Sequence, residues 1–241
     1  MVSSKTIFLL YMIYVISDIH GNYEALKVFF STIKKNKEDK IYCLGDIVGY
    51  YYQVNECLNL LRKHKVNIIK GNHEINFIKS IKNNKLLNKY CEKYGNSYSK
   101  SIKDISNKNK IFLKKLSIKK RLRINNINIL FAHGAPWKNN EYIYENKIKK
   151  FKKKFRKYKF DICFLGHTHR RMNCLINNKL IVNPGSIGQP RDKFKSKASW
   201  IEFNENNKVI KFKNKKYNST KLKKQIKLYD RDKYKFLSKY F

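Results

Sequence analysis

The stretch MIYVISDIHGNYEALKVFF, residues 12–30, changes character twice. Met12–Ile16 is an apolar run of strand length, and the spacing of Leu26, Phe29, Phe30 and Ile33 predicts a helix over 23–34. Between the two, the chain turns through SDIHGN, which carries Asp18 and His20. An apolar strand, a polar turn and an amphipathic helix in that order open a βαβ unit. The pattern continues: KIYCLGD (40–46) reads as a second buried strand, residues 54–63 as a helix, and VNIIKGNHE (66–74) as a third strand. Strands alternating with helices imply parallel pairing with right-handed crossovers.

Further along, the pattern turns to hairpins. RLRINNINILFAHG (121–134) is expected to fold back at Asn125-Asn126, CLINNKLIVNPG (174–185) at Asn177-Asn178, and SWIEFNENNKVIKF (199–212) around 204–207, because asparagine tolerates the left-handed backbone of tight hairpin turns. Residues 76–117 are polar, rich in Lys and Asn, and helical in pattern, which suits a cap-like or outer layer. Residues 145–158 read as a very basic helix, and 219–241 as a C-terminal helix. With no internal repeat and no long linker, the whole chain, 1–241, is expected to form a single domain, a size at which one core is sustainable.

The segment IFLLYMIYVI (7–16) resembles a signal-peptide core, but it lacks a small-residue cleavage site and is too short to span a bilayer. It reads as the first strand, with its core at Met12–Ser17, residues 1–11 an extension and Met12 an alternative start. No targeting signal and no membrane partner are expected. Five scattered cysteines without a CxxC pair suit a reducing compartment, so a cytoplasmic protein is expected.

The formal charge is +38, from 55 Lys and Arg against 17 Asp and Glu. Such a charge invites a nucleic-acid partner. The surplus residues, Lys, Asn, Ile, Tyr and Phe, also share A/T-rich codons, so nucleotide bias explains the same composition. Neither composition nor pattern speaks to oligomeric state.

Five apolar strands end in polar residues of one kind: SDIHGN (Asp18, His20), LGD (Asp46), KGNHE (Asn72, His73, Glu74), FAHGAP (His133) and LGHTHR (His167, His169). In open α/β sheets, the C-terminal strand ends share one ligand-binding crevice. Carboxylates and imidazoles without thiolates suit divalent transition metals rather than a structural zinc–cysteine site. The sixth histidine, His64, lies in the polar stretch RKHK and is expected to be structural.

These blocks, in this order, resemble the calcineurin-like metallophosphoesterases, whose pattern is D-x-H, G-D, G-N-H-[DE], H-G and G-H-x-H. The small phosphodiesterase-type branch is the more similar one, with SDIHGNYEAL, YCLGDIVGY, KGNHE, GHTHR and NPGSIGQPR its counterparts here. The resemblance runs from about Met12 to Phe212. It implies an α/β fold of two mixed β-sheets packed as a sandwich flanked by helices. It also implies two divalent ions, manganese first, with iron, zinc, nickel or cobalt as alternatives. Asp18, His20 and His169 would hold one metal, Asn72, His133 and His167 the other, and Asp46 would bridge them. The implied reaction is phosphoester hydrolysis by in-line attack of a hydroxide held by both metals, with His73 as the acid that protonates the leaving group. Asn72 and Arg191 would contact the substrate. Phosphodiesters are the favoured substrates; monoesters, phosphoproteins and nucleotides are the alternatives. A non-catalytic nucleic-acid or other polyanion binder on the same fold is the rival of another class.

Two departures bear on substrate. The protein Ser/Thr phosphatase branch also reads GNHE, but it carries G-D-x-x-D-R-G where this chain has GDIVGYY, so Gly49 stands in place of an aspartate. Many close relatives read GYGP where this chain reads GYYY (49–52), which places Tyr51 or Tyr52 at the pocket rim as an expectation.

Overall fold

The computed structural model describes residues 12–193, 196–204 and 209–241. The proposed extension, residues 1–11, and the third hairpin's turn at 205–207 lie outside the described residues. Two mixed five-stranded sheets carry the fold, as the resemblance implied. In the first, β1 (Met12–Ile16), β2 (Lys40–Cys43) and β3 (Asn67–Ile68) run parallel. Beside β1, β9 (Lys197–Asn204) and β10 (Val209–Lys216) complete the sheet as antiparallel strands. The second sheet has the order β4-β5-β6-β8-β7, from β4 (Lys119–Ile124), β5 (Ile127–Ala132), β6 (Ile162–Phe164), β7 (Arg171–Ile176) and β8 (Lys179–Pro184). Its three inner strands are parallel and its two edge strands antiparallel.

Period-two alternation explains why the sheets stack. Ile13 and Val15 of β1 point into the layer between the sheets, where they meet Ile129, Phe131, Phe164 and Phe203. Tyr42 and Phe131 stack across that layer at 4.1 Å and 3°. Tyr14 and Ile16 point the other way, onto α1 (Tyr23–Thr32) and α2 (Val54–Lys63). Both asparagine hairpins form, with Asn125, Asn126, Asn177 and Asn178 all at positive φ.

A helix, α3 (Asn72–Ser80), begins inside the KGNHE block, and α4 (Asn84–Tyr94), α5 (Ser97–Asp104) and α6 (Asn107–Lys115) follow it. The basic stretch is tighter than expected: a 3-10 segment over Glu145–Phe151 precedes α7 (Lys152–Arg156), with Ile148 and Phe155 buried and the lysines outward. The C-terminal region is broken rather than one helix. Asp230 separates α8 (Thr220–Tyr229) from a 3-10 turn (Arg231–Lys233) and α9 (Tyr234–Ser238). Its buried carboxylate accepts from the Asn96 N–H (2.9 Å) and the Tyr52 hydroxyl (2.7 Å), partners that hold the backbone out of helix.

Candidate metal centre

The C-terminal ends of β1, β2, β3, β5 and β6 open on the same edge of the sandwich, and the turns after them bring the polar blocks together. Among the described residues, three groups could hold a metal: Asp18, His20 and His169; Asp46, His133 and His167; and His20, Asp46 and His73, each with ligating atoms within 4.8 Å of one another. Asp46 Oδ2 sits centrally, 3.1 Å from His133 Nε2, 3.9 Å from His20 Nε2 and 4.0 Å from His73 Nε2. Asn72 Oδ1 is 3.1 Å from His133 Nε2. His64 is elsewhere, stacked on Phe30 at 4.0 Å.

Backbone carbonyls set the tautomers. His20 Nδ1 faces Val48 O at 2.9 Å, His133 Nδ1 faces Leu44 O at 2.8 Å, and His169 Nδ1 faces Gln189 O at 2.8 Å. A carbonyl only accepts, so each Nδ1 carries the proton. At His133 burial is outweighed by the Asp46 carboxylate, which pushes the ring up to about 9 and favours a proton on Nε2 when no metal is bound. His20 and His169, as neutral rings, turn an Nε2 lone pair inward. These lone pairs converge on other acceptors. His20 Nε2 and His169 Nε2 are 3.1 Å apart, and His133 Nε2 faces the oxygens of both Asp46 and Asn72. Asp18 Oδ1 and His167 Nε2 are buried with no hydrogen-bond partner among the described residues. Only cations, as protons or metals, reconcile so many acceptors in one buried place. Burial holds His20 and His169 well below the ordinary imidazole value and His167 down at about 3, so protons are a poor solution there. Burial also pushes Asp18 up to about 7, since a carboxylate without a nearby cation is costly inside the protein. For Asp46, burial alone would do the same, but His133 and His73 hold it well below the usual carboxylate range. The donor set, with tautomers fixed from behind, fits divalent ions.

The local backbone is bent to make this meeting. Five of the seven candidate ligands lie in the left-handed region: Asp18 (φ 55°), His20 (52°), Asp46 (54°), His167 (67°) and His169 (58°). Each such residue costs roughly 1–3 kcal/mol, and Asp and His tolerate the region better than most side chains. Neighbouring segments hold the turns in place. NPGSIGQPR (183–191) braces the first one, with the Ile187 and Gly188 N–H groups donating to Ser17 O (2.9 Å) and Asp18 O (3.0 Å).

Glu74 is the brace for the second. Its buried carboxylate accepts from the N–H groups of Asp46 (2.8 Å), Ile47 (2.7 Å), Val48 (3.0 Å) and Gly71 (2.7 Å). All four partners are donors, so the arrangement requires the carboxylate form. Asp46 Oδ1 returns the favour to α3, accepting from the His73 N–H at 2.8 Å. Glycine at the N-cap, Gly71, is what admits it: a Cβ there would collide with Asp46 Oδ1. Gly49, at φ +94°, lies against the His73 ring, where a side chain would strike Nδ1.

His73 presents Nε2 to the centre, while Tyr98 contacts Nδ1 through its hydroxyl at 2.9 Å. Burial lowers His73 to about 4. Arg191 also reaches the cleft: its guanidinium donates to the Tyr50 hydroxyl (2.9 Å) and Gln189 Oε1 (2.8 Å). At the rim the expectation needs correcting. Tyr51 and Tyr52 are 0% and 3% exposed and anchor the C-terminal helices, with Tyr51 donating to Leu237 O. Tyr50 is the one at the centre, edge-on to His20 at 4.8 Å, because its positive φ (61°) inverts the side-chain alternation. Sequence reasoning missed Tyr50, Tyr94, Tyr98 and Tyr142. Only Tyr50 lay beside a motif.

The model of the calcineurin-like phosphoesterase superfamily domain matches residues 12–206. An uncharacterized protein of Methanocaldococcus jannaschii is 34% identical over 212 residues, 80% of this chain and 83% of its own length. A symmetrical bis(5'-nucleosyl)-tetraphosphatase of Buchnera aphidicola is 38% identical over 85 residues, 33% of this chain and 31% of its own. The crystal structure of a metallophosphoesterase from Sphaerobacter thermophilus superposes with a TM-score of 0.73 at 24% identity, covering 94% of this chain and 98% of that one.

Proposed function

The chain belongs to the calcineurin-like phosphoesterase superfamily, and from that premise we propose that it is a di-metal hydrolase that favours phosphodiesters. The observation that carries this reading is the convergence of imidazole lone pairs and carboxylates with their tautomers locked from behind. Asp18, His20 and His169 would hold one ion and Asn72, His133 and His167 the other, with Asp46 between them. The chemistry such a pair supplies when bound is Lewis acidity toward phosphoryl oxygens and a water made nucleophilic near neutral pH. The Asn72 amide and the Arg191 guanidinium orient the phosphate and offset its charge. Burial holds His73 at about 4 in the free protein. It is the negative charge of a bound phosphate that would favour the imidazolium, which then delivers a proton from Nε2 to the departing oxygen while Nδ1 rests on the Tyr98 hydroxyl.

His73→Ala is expected to retain both metals and to lose about 10²–10⁴-fold in kcat on alkyl esters. The loss on p-nitrophenyl esters is smaller, because that leaving group needs little protonation; equal losses on both would remove the acid role. Tyr98 acts through His73 as a positioning residue. Tyr98→Phe should lower kcat about five- to tenfold on alkyl esters, leaving KM and metal content unchanged. A change confined to KM would deny it that role.

The test of the whole reading compares bis-p-nitrophenyl phosphate with p-nitrophenyl phosphate on metal-stripped protein restored with Mn²⁺. Preference for the diester supports it, and preference for the monoester transfers the protein to the phosphatases. Partial likeness to a bis(5'-nucleosyl)-tetraphosphatase adds nucleotide pyrophosphates to the substrates to be tried. If neither ester is cleaved with any divalent ion, the +38 charge favours the second reading, a polyanion binder. We place the activity in the cytoplasm, consistent with five free cysteines. Among the described residues no helix is long and apolar enough to cross a membrane.

A further inference from the structure

From Asn72 and His167 the cleft continues into a cavity of about 500 Å³, within the range of roughly 300–1,000 Å³ usual for small-ligand sites. One wall is α4, where Tyr90 and Tyr94, four residues apart and so on one face, stack at 6.2 Å and 17°. Facing it from the loop after β5 is Tyr142, 45% exposed, one face laid on the His167 ring at 4.0 Å. Lys79, Lys89 and Lys93 edge the cavity, all exposed, and among the described residues no carboxylate lines it. Asn76, Asn139 and Asn140 add amides that both donate and accept, and Asn139 Nδ2 has no hydrogen-bond partner among the described residues.

We propose that this cavity is a nucleotide subsite: the base stacks between the α4 tyrosines and Tyr142, and the lysines take a phosphate next to the one at the metal centre. A bare phosphate or sugar phosphate would leave the aromatic walls unused, whereas a nucleobase gains from them whatever its identity. Exposed lysines around a cavity that no carboxylate lines among the described residues favour a ligand with more than one phosphate. That second phosphate belongs either to a nucleoside polyphosphate or to the next residue of a single strand; the chemistry offered here is common to both. The inference rests on the hydrolytic reading only in placing the first phosphate at the metal centre.

The test is calorimetric titration of the Mn²⁺-loaded full chain, a readout that needs no turnover. AMP is expected to bind at least about tenfold tighter than ribose 5-phosphate. Tyr90→Leu, at a side chain that touches no candidate ligand, should bring the two within about twofold of each other, as the base then adds little. ADP or the dinucleotide pApA should bind tighter than AMP, and Lys79→Gln/Lys89→Gln/Lys93→Gln should abolish that gain. A gain for ADP alone identifies polyphosphates, and one for pApA alone identifies single strands. Equal affinity for AMP and ribose 5-phosphate overturns the subsite, as does a second-phosphate gain that survives removal of the lysines. A protein that selects AMP yet cleaves no ester overturns the hydrolytic reading alone; one that cleaves bis-p-nitrophenyl phosphate without selecting AMP overturns this inference alone.

Discussion

Asp46→Asn is expected to abolish turnover, by about 10³-fold or more in kcat, and to cut metal content from two ions to one or none. The effect is large because one side chain does two jobs. Oδ2 lies centrally among His133, His20 and His73, and Oδ1 accepts the His73 N–H at the start of α3. The amide keeps the size but removes the charge, and its NH₂ must face either a backbone donor or the inward-facing imidazoles. The first sets donor against donor, and the second caps the Nε2 lone pairs and leaves no charged oxygen to face a cation. Kinetics on bis-p-nitrophenyl phosphate and metal analysis of the same sample check the claim together. Near-normal activity with two ions bound would refute the bridging role.

Glu74→Gln should be the most damaging single-atom exchange for stability. Four buried N–H groups converge on the two carboxylate oxygens. Turning one oxygen into NH₂ sets donors against donors at two of them, at roughly 1–3 kcal/mol each. For a domain of this size, a total near 3 kcal/mol lowers Tm by about 6–12 °C. Thermal unfolding measures it, and activity should fall as well, since the same N–H groups hold the turn that carries Asp46. An unchanged Tm would mean that the brace is dispensable.

The contrast between these residues and the tyrosines shows what was legible in the sequence. Asp18, His20, Asp46, Asn72, His133, His167 and His169 each follow an apolar strand at a fixed short distance, so a periodicity argument could place them at strand ends, which the structure draws from both sheets. The βα alternation and the two asparagine hairpins were readable for the same local reason. That two sheets stack into a sandwich came from the family resemblance, because alternation in β1 shows two buried faces without saying what covers them. Tyr94 and Tyr98 reach His73 from a lysine-rich helical stretch with no spacing rule relative to the motifs. Their role depends on how α4 and α5 fold back over α3. Tyr50 was hidden by its own backbone, since a left-handed residue in GYYY breaks the alternation that pointed to its neighbours. From the sequence Glu74 could be read as orienting either His73 or the loop, and it is the loop that it holds.

Two divalent ions, in the reading proposed above, would occupy this site, and hydrolysis would need both. The most direct measurement titrates chelator-stripped protein with Mn²⁺ and follows bound metal and bis-p-nitrophenyl phosphate hydrolysis on the same samples. Activity that climbs until two ions are bound per chain, and then stops, is the predicted result. Activity complete at one ion, or two ions bound with no hydrolysis, would contradict it.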